Sequence, residues 1–191
     1  MLVHPQVRGG IAVYTARLTA ADIGLRQVLD GRERRRVEST VGEANRARIL
    51  IGAALLRTVA GSLLGVPAAA VTVDRTCSDC GRWHGRPTLP GTELDVSVSH
   101  SGGVVVVAVL AGGRVGVDVE RVDGRPVSEV VAWTIAEARF KAGDGPGLMI
   151  HHLPPPAPAH VLTVATDQPD ARIEVIDGAA ALQIGRGMLP E

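Results

Sequence analysis

Aromatic side chains are nearly absent from this chain. Trp83, Trp133, Tyr14 and Phe140 are all it has, too few for the stacking platforms that hold single-stranded nucleic acid. The core must be aliphatic, and Val, Leu, Ile and Ala supply it. Charge of one sign is also lacking: 20 Lys and Arg balance 20 Asp and Glu. That balance excludes binding driven by a bulk positive field. The arginines are uneven, however, with Arg32, Arg34, Arg35, Arg36, Arg46, Arg48 and Arg57 all in the first third, so a local anion site stays open. Cysteine is limited to Cys77 and Cys80, which make no disulfide framework. No sequence run is read as the ~18–20 apolar residues of a membrane span, and the N-terminus shows no signal-peptide apolar region. A soluble cytoplasmic protein with no nucleic-acid and no membrane partner is expected. At 191 residues the chain suits one buried domain or two small lobes sharing a core.

What is present is read best from the middle outward. Ser97, Ser99 and Ser101 alternate with Val96, Val98 and His100, the period of a strand with one packed face. Residues 104–110 are an unbroken apolar run, a strand buried on both faces. Gly112-Gly113 offers the positive-φ residues of a tight hairpin turn, returning the chain through Val117 to Asp118 and Glu120. Strand alternation puts those two carboxylates on one face, roughly 6.5–7 Å apart at their Cα atoms, where they repel unless a cation lies between them.

Around this centre, Ile11 and Val13 mark a short strand, and Thr19 with Asp22 marks the start of a helix running to Leu29. Gly31 breaks it. A basic helix over 32–39 follows, with Arg32, Arg35 and Arg36 on one face, ordinarily a solvated face. The strongest helix signal spans 43–64, where Ile49, Ala53, Leu56, Ala60 and Leu63 form an apolar stripe. Gly65 and Pro67 end it. Val71 and Val73 suggest a strand entering a long loop, 76–91. After the polar turn 121–126, residues 127–142 read as a helix carrying Trp133, Glu137 and Lys141. No helical pattern is read beyond it. Residues 151–159 form a proline-rich linker, 161–164 and 172–176 read as strands, and Asp177-Gly178 as a hairpin turn leading into 181–184. The fold class is α+β with mostly antiparallel strands, and there is no exact internal repeat.

Asp118 and Glu120 need a third oxygen ligand to become a metal site, and Glu137 is the candidate, with Lys141 one helical turn on. Mg²⁺ is commonly held by one or two carboxylates together with substrate phosphates, which suits this set. The plain alternative is an acidic strand end beside an ordinary Glu–Lys surface pair. Cys77-x-x-Cys80 with His84 resembles half of a zinc site. There is no second cysteine pair, and a plain loop with two reduced thiols is expected.

Five motifs then occur in order: Arg48-Ile49-Leu50-Ile51-Gly52, His84-Gly85-Arg86-Pro87, Val98-Ser99-His100-Ser101-Gly102, Gly116-Val117-Asp118-Val119-Glu120 and Trp133-Thr134-x-x-Glu137-Ala138-x-x-Lys141. From about Arg32 to Gly147 the chain resembles a 4′-phosphopantetheinyl transferase of the larger, pseudo-dimeric Sfp type. The resemblance implies two similar α+β lobes, 1–101 and 102–191, with the ligand in the groove between them. It implies transfer of the phosphopantetheine arm of coenzyme A, with Mg²⁺, to a serine of an apo acyl- or peptidyl-carrier protein, by a monomer. It also implies roles: Asp118, Glu120 and Glu137 as the Mg²⁺ carboxylates, with Asp118, Glu137 and Lys141 as the catalytic set. Ser99 and His100 match the contacts to the coenzyme A diphosphate, and Arg48 matches an arginine on the coenzyme A side. Arg86, in its turn with His84, Gly85 and Pro87, matches the basic residue near the adenosine 3′-phosphate. Arg32 and Arg35 match two further basic positions near the phosphates.

The chain departs from that family in two places. Glu120 and Glu137 stand only 17 positions apart, where the family has another helix and a long loop. Ala136 also replaces the lysine that normally precedes the motif glutamate. Both departures bear on carrier recognition and on the orientation of Glu137. The alternative they favour is a coenzyme A-binding relative with impaired turnover.

Overall fold

Residues 104–111 form a strand buried on both faces, and that strand divides the core in two. The structure, a computed structural model, describes residues 10–187. In chain order the strands are β1 (Gly10–Arg17), β2 (Asp74–Thr76), β3 (Trp83–Thr88), β4 (Leu94–Ser101), β5 (Val104–Ala111), β6 (Val115–Arg121), β7 (Met149–Leu153), β8 (His160–Thr166) and β9 (Arg172–Asp177). The α-helices are α1 (Gly31–Ser39), α2 (Glu43–Leu64), α3 (Val127–Lys141) and α4 (Gly178–Gly187). One sheet has the order β4-β5-β1-β9 and another β6-β8-β7, with β2 and β3 as a separate hairpin. The protein is thus α+β, and its strands pair antiparallel except β1 with β9.

Alternation along the strands assigns the layers. Val105, Val107 and Val109 of β5 join Ala12, Tyr14 and Ala16 of β1 against α2. Val104, Val106, Ala108 and Leu110, with Ile11 and Val13, point the other way, onto Val115, Val117, Val119, Leu162 and Val164 of the second sheet. Ala138 of α3 and Ala142, its C-cap, close that sheet's outer face over Leu148 and Ala165. The result is four layers: helix, sheet, sheet, helix.

Helix α2 matches its expected span, and Gly65 ends it in the left-handed region at φ +69°. The apolar stripe is wider than the periodicity implies, because every residue from Leu50 to Gly61 is buried under α1, α4 and the segment before α1. By length and composition alone this helix could cross a membrane, but two-thirds of its apolar window is buried within the fold, as suits a core helix. Arg57, only 1% exposed, binds α2 to α1: its Nε lies 2.5 Å from Glu33, and one terminal nitrogen lies 2.7 Å from Asp30. Asp30 also caps α1 through a full capping box with Glu33, which explains why the helix starts at Gly31 rather than after it.

Several expected elements resolve differently. No single helix runs from Thr19 to Leu29. Two 3₁₀ segments, Leu18–Ala20 and Ile23–Val28, stand there, because the Asp22 side chain accepts from the Gly24 N–H at 2.7 Å and restarts the chain locally. Val71 and Val73 are buried but precede the strand, which is Asp74–Thr76, and the long loop contains β3. Gly112, at φ +71°, does not close a hairpin. Both edges of β5 are taken by β4 and β1, so the chain leaves the first sheet there and β6 pairs with β8. The expected linker 151–159 begins within β7. Asp177 accepts from the Ala179 N–H at 2.9 Å and opens α4, not a strand.

Candidate functional site

β6 is an edge strand of its sheet, and its outward N–H groups need acceptors. The alternating residues of β4 supply them. Val115 N–H donates to Asp95 (2.7 Å), Val117 to Ser97 (3.0 Å), Val119 to Ser99 (3.2 Å) and Arg121 to Ser101 (3.1 Å). The serine row therefore stands in for a neighbouring strand and couples the edge of the second sheet to the face of the first. Two of these serines then act in the other direction. Ser99 Oγ donates to Asp118 Oδ1 at 2.7 Å, and Ser101 Oγ donates to Glu120 Oε2 at 2.8 Å. Each hydroxyl is oriented by the backbone it accepts from, and each orients a carboxylate.

Helix α3 reaches these carboxylates because residue 116 is glycine. A Cβ there would lie 1.9 Å from the Ala138 carbonyl oxygen, so the helix backbone rests directly on the strand. That contact places Lys141 Nζ 2.6 Å from Asp118 Oδ1 and brings Glu137 into the same cleft, whose volume is about 300 Å³. Asp118, Glu120, Glu137 and Lys141 line one side. Arg36, Arg48, Arg75 and His100 line the cleft as cationic or imidazole groups, and Trp133, 53% exposed, stands at its rim. Arg48 is held in place by two donations to the Gly102 carbonyl, at 2.8 and 2.5 Å.

The electrostatics of this cleft follow from burial and neighbours. Burial raises the Asp118 carboxyl above the ordinary aspartate value, although Lys141 and Ser99 pull it back. Its Oδ2 is buried and has no hydrogen-bond partner among the described residues. His100 keeps one exposed edge, yet protein crowding, reinforced by Arg48 and Lys141, holds its imidazole below the usual histidine value. Burial first, and then the charge of Arg36, lowers Arg75 to about 10.

The structure therefore brings Arg48, Ser99, His100, Asp118, Glu120, Glu137 and Lys141 together. Arg32 and Arg35 are exposed on α1 and do not line this cleft. Arg86 is ion-paired with Asp95 and donates to the Val115 carbonyl, at the seam between the sheets. His84 is exposed with its Nε2 3.1 Å from Cys80 Sγ, Gly85 packs on the Cys77 backbone, and Pro87 is buried; none of the four lines the cleft. Hydrogen bonds from Arg82, and then from His84, lower the Cys80 thiol to about 7. Besides Glu33, which is paired with Arg57, the charged cleft residue that sequence reasoning missed is Arg75. It carries no local signal, being an arginine on a three-residue strand. Arg36 was visible only as part of a basic helix face.

Carboxylate oxygens are the donor type a hard divalent cation takes, but those of Asp118, Glu120 and Glu137 do not all lie within 4.8 Å of one another in this structure. Four acidic residues, Glu33, Asp118, Glu120 and Glu137, line the cleft; Glu33 is already paired with Arg57, and a buried Asp118 oxygen has no partner among the described residues. No model of a known protein family matches the chain, and no curated protein matches it.

Proposed function

We propose that this protein transfers the 4′-phosphopantetheine arm of coenzyme A to a serine of an apo acyl- or peptidyl-carrier protein, releasing 3′,5′-ADP. The observation that carries this reading is the single cleft in which Asp118, Glu120, Glu137 and Lys141 meet Arg36, Arg48, Arg75 and His100. Carboxylates for a cation and cations for an anion, side by side, suit a diphosphate. The α+β class is the ground the fold gives this reading; two lobes with the ligand in the groove between them, and a cytoplasmic monomer, are part of the proposal.

Asp118, Glu120 and Glu137 are the residues that would hold Mg²⁺, which when bound neutralises diphosphate charge. Arg48, Arg75 and His100 bind and orient the coenzyme A phosphates. Glu137 accepts the proton of the carrier serine hydroxyl as its oxygen bonds to phosphorus. The phosphorus–oxygen bond to 3′,5′-ADP breaks, and Lys141 offsets the charge left on that phosphate. Ser99, its hydroxyl already committed to Asp118, positions that carboxylate rather than touching the ligand.

Incubation with coenzyme A, Mg²⁺ and a panel of fatty-acid, polyketide and nonribosomal-peptide apo-carriers tests the reading by mass spectrometry. One phosphopantetheine arm gained on any carrier supports it. Glu137→Gln is expected to abolish transfer while coenzyme A binding, followed by calorimetry, persists. Binding by the unsubstituted protein without transfer to any carrier would favour the second reading, a coenzyme A-binding relative, to which Ala136 and the short 120–137 connection point.

A further inference from the structure

Outside the cleft lining, the hairpin of β2 and β3 carries a second constellation. The ligand atoms of Cys77, Cys80 and His84 all lie within 4.8 Å of one another, with Cys80 Sγ 3.1 Å from His84 Nε2. Local backbone chemistry produces this convergence. Gly81, directly after the second cysteine, takes a left-handed φ of +68° and returns its N–H to the Cys77 carbonyl at 2.9 Å. Cys77 N–H in turn donates to the Arg82 carbonyl at 2.8 Å. This double closure folds both thiols to the same side of a tight knuckle. Gly85 completes it: a Cβ there would lie 3.1 Å from Cys77 Cα, tighter than ordinary contact, so glycine favours the close approach of β3 that carries His84.

We propose that Cys77, Cys80 and His84 form a binding site for one thiophilic divalent cation of the Zn²⁺ class, with a fourth position left to water. Two thiolates and an imidazole are the ligands such a cation selects over harder ions. In a tetrahedral site a sulfur and a nitrogen ligand sit about 3.5 Å apart, so the observed pair needs to open by only a few tenths of an ångström. Binding releases the thiol protons and ties residues 77–84 into one closed loop. The loop adjoins Arg75, two residues before Cys77 on the strand that delivers its guanidinium to the cleft. The metal would therefore hold that arginine's strand in register.

The site is tested on the full chain with the metal alone, without coenzyme A or a carrier, so its outcome is separate from that of the transferase reading. Reduced, metal-stripped protein is titrated with Co²⁺ and then Zn²⁺. One equivalent of Co²⁺ is expected, with thiolate-to-metal charge-transfer absorption that Zn²⁺ displaces. Cys77→Ser/Cys80→Ser is expected to lose that absorption. His84→Ala, which keeps both thiols, is expected to weaken uptake at least about tenfold. Zn²⁺ is also expected to slow tryptic cleavage after the exposed Arg82, a readout in the intact protein that does not depend on the variants folding. Less than a tenth of an equivalent bound, or uptake equal in the double variant and the unsubstituted protein, would overturn the proposal, as would Arg82 cleavage indifferent to Zn²⁺.

Discussion

Asp118 holds one carboxylate oxygen between Lys141 and Ser99, while its other oxygen is buried without a partner among the described residues. Because burial raises its pKa, the folded protein keeps the Asp118 proton to higher pH than the unfolded chain does. Its contribution to stability is thus full below the unfolded aspartate range near pH 4 and is lost as pH rises through the folded value. A cation beside the ionised group offsets that loss. Mg²⁺ at about ten times its dissociation constant is therefore expected to raise the melting temperature by about 3–5 °C at pH 7.5, and by clearly less at pH 4.5. Asp118→Asn is expected to remove most of the rise. Thermal denaturation at both pH values checks this, and an equal rise in the variant would exclude Asp118 as a ligand. The pairing of Asp118 with Glu120 was legible from strand alternation. The commitment of Ser99 and Ser101 to those carboxylates was not, because it depends on which strand lies beside β4.

At the scale of elements, the cleft depends on one close approach. The 1.9 Å distance from a built Cβ at position 116 to the Ala138 carbonyl leaves no room even for a methyl group. Backbone on both sides prevents local relief. Gly116→Ala is expected to lift α3 from β6, destabilise the protein by more than about 3 kcal/mol and separate Lys141 from Asp118. Urea denaturation measures the first effect and loss of any Mg²⁺-dependent melting shift the second. A variant within about 0.5 kcal/mol of the unsubstituted protein would contradict this packing. Local signals read α2 and its glycine stop correctly, since its length, periodicity and cap agree. They read 19–29 and 177–184 wrongly, because Asp22 and Asp177 use their side chains as caps for segments whose type is decided by what they pack against.

For the molecule as a whole, the two sheets share a core and the chain is interleaved between them. β9 follows the second sheet in sequence but pairs with β1 in the first, and Ile11, Val13, Val104 and Val106 of one sheet meet Val117, Val119 and Leu162 of the other. Separating the sheets would expose that apolar face to water, so neither half is expected to unfold alone. Trp133 lies on α3, packed on β6 and β8 of the second sheet, and Trp83 on β3, beside β4 of the first. Tryptophan fluorescence and far-ultraviolet circular dichroism are expected to follow one coincident denaturant transition. Two resolved transitions would show that the halves are independent.

The sequence by itself determined the α+β class, the central strands, the long core helix and the shared face of Asp118 and Glu120, because each rests on periodicity or spacing within a short stretch. Only the tertiary structure decided the remainder. It sent β6 to a different sheet from β5, since β5 had no free edge. It turned a row of serines into a substitute strand edge, placed Arg75 in the cleft, and brought α3 with Glu137 and Lys141 onto β6 at Gly116. Those outcomes depend on long-range pairing and close backbone approach, which residue identity along one stretch does not encode.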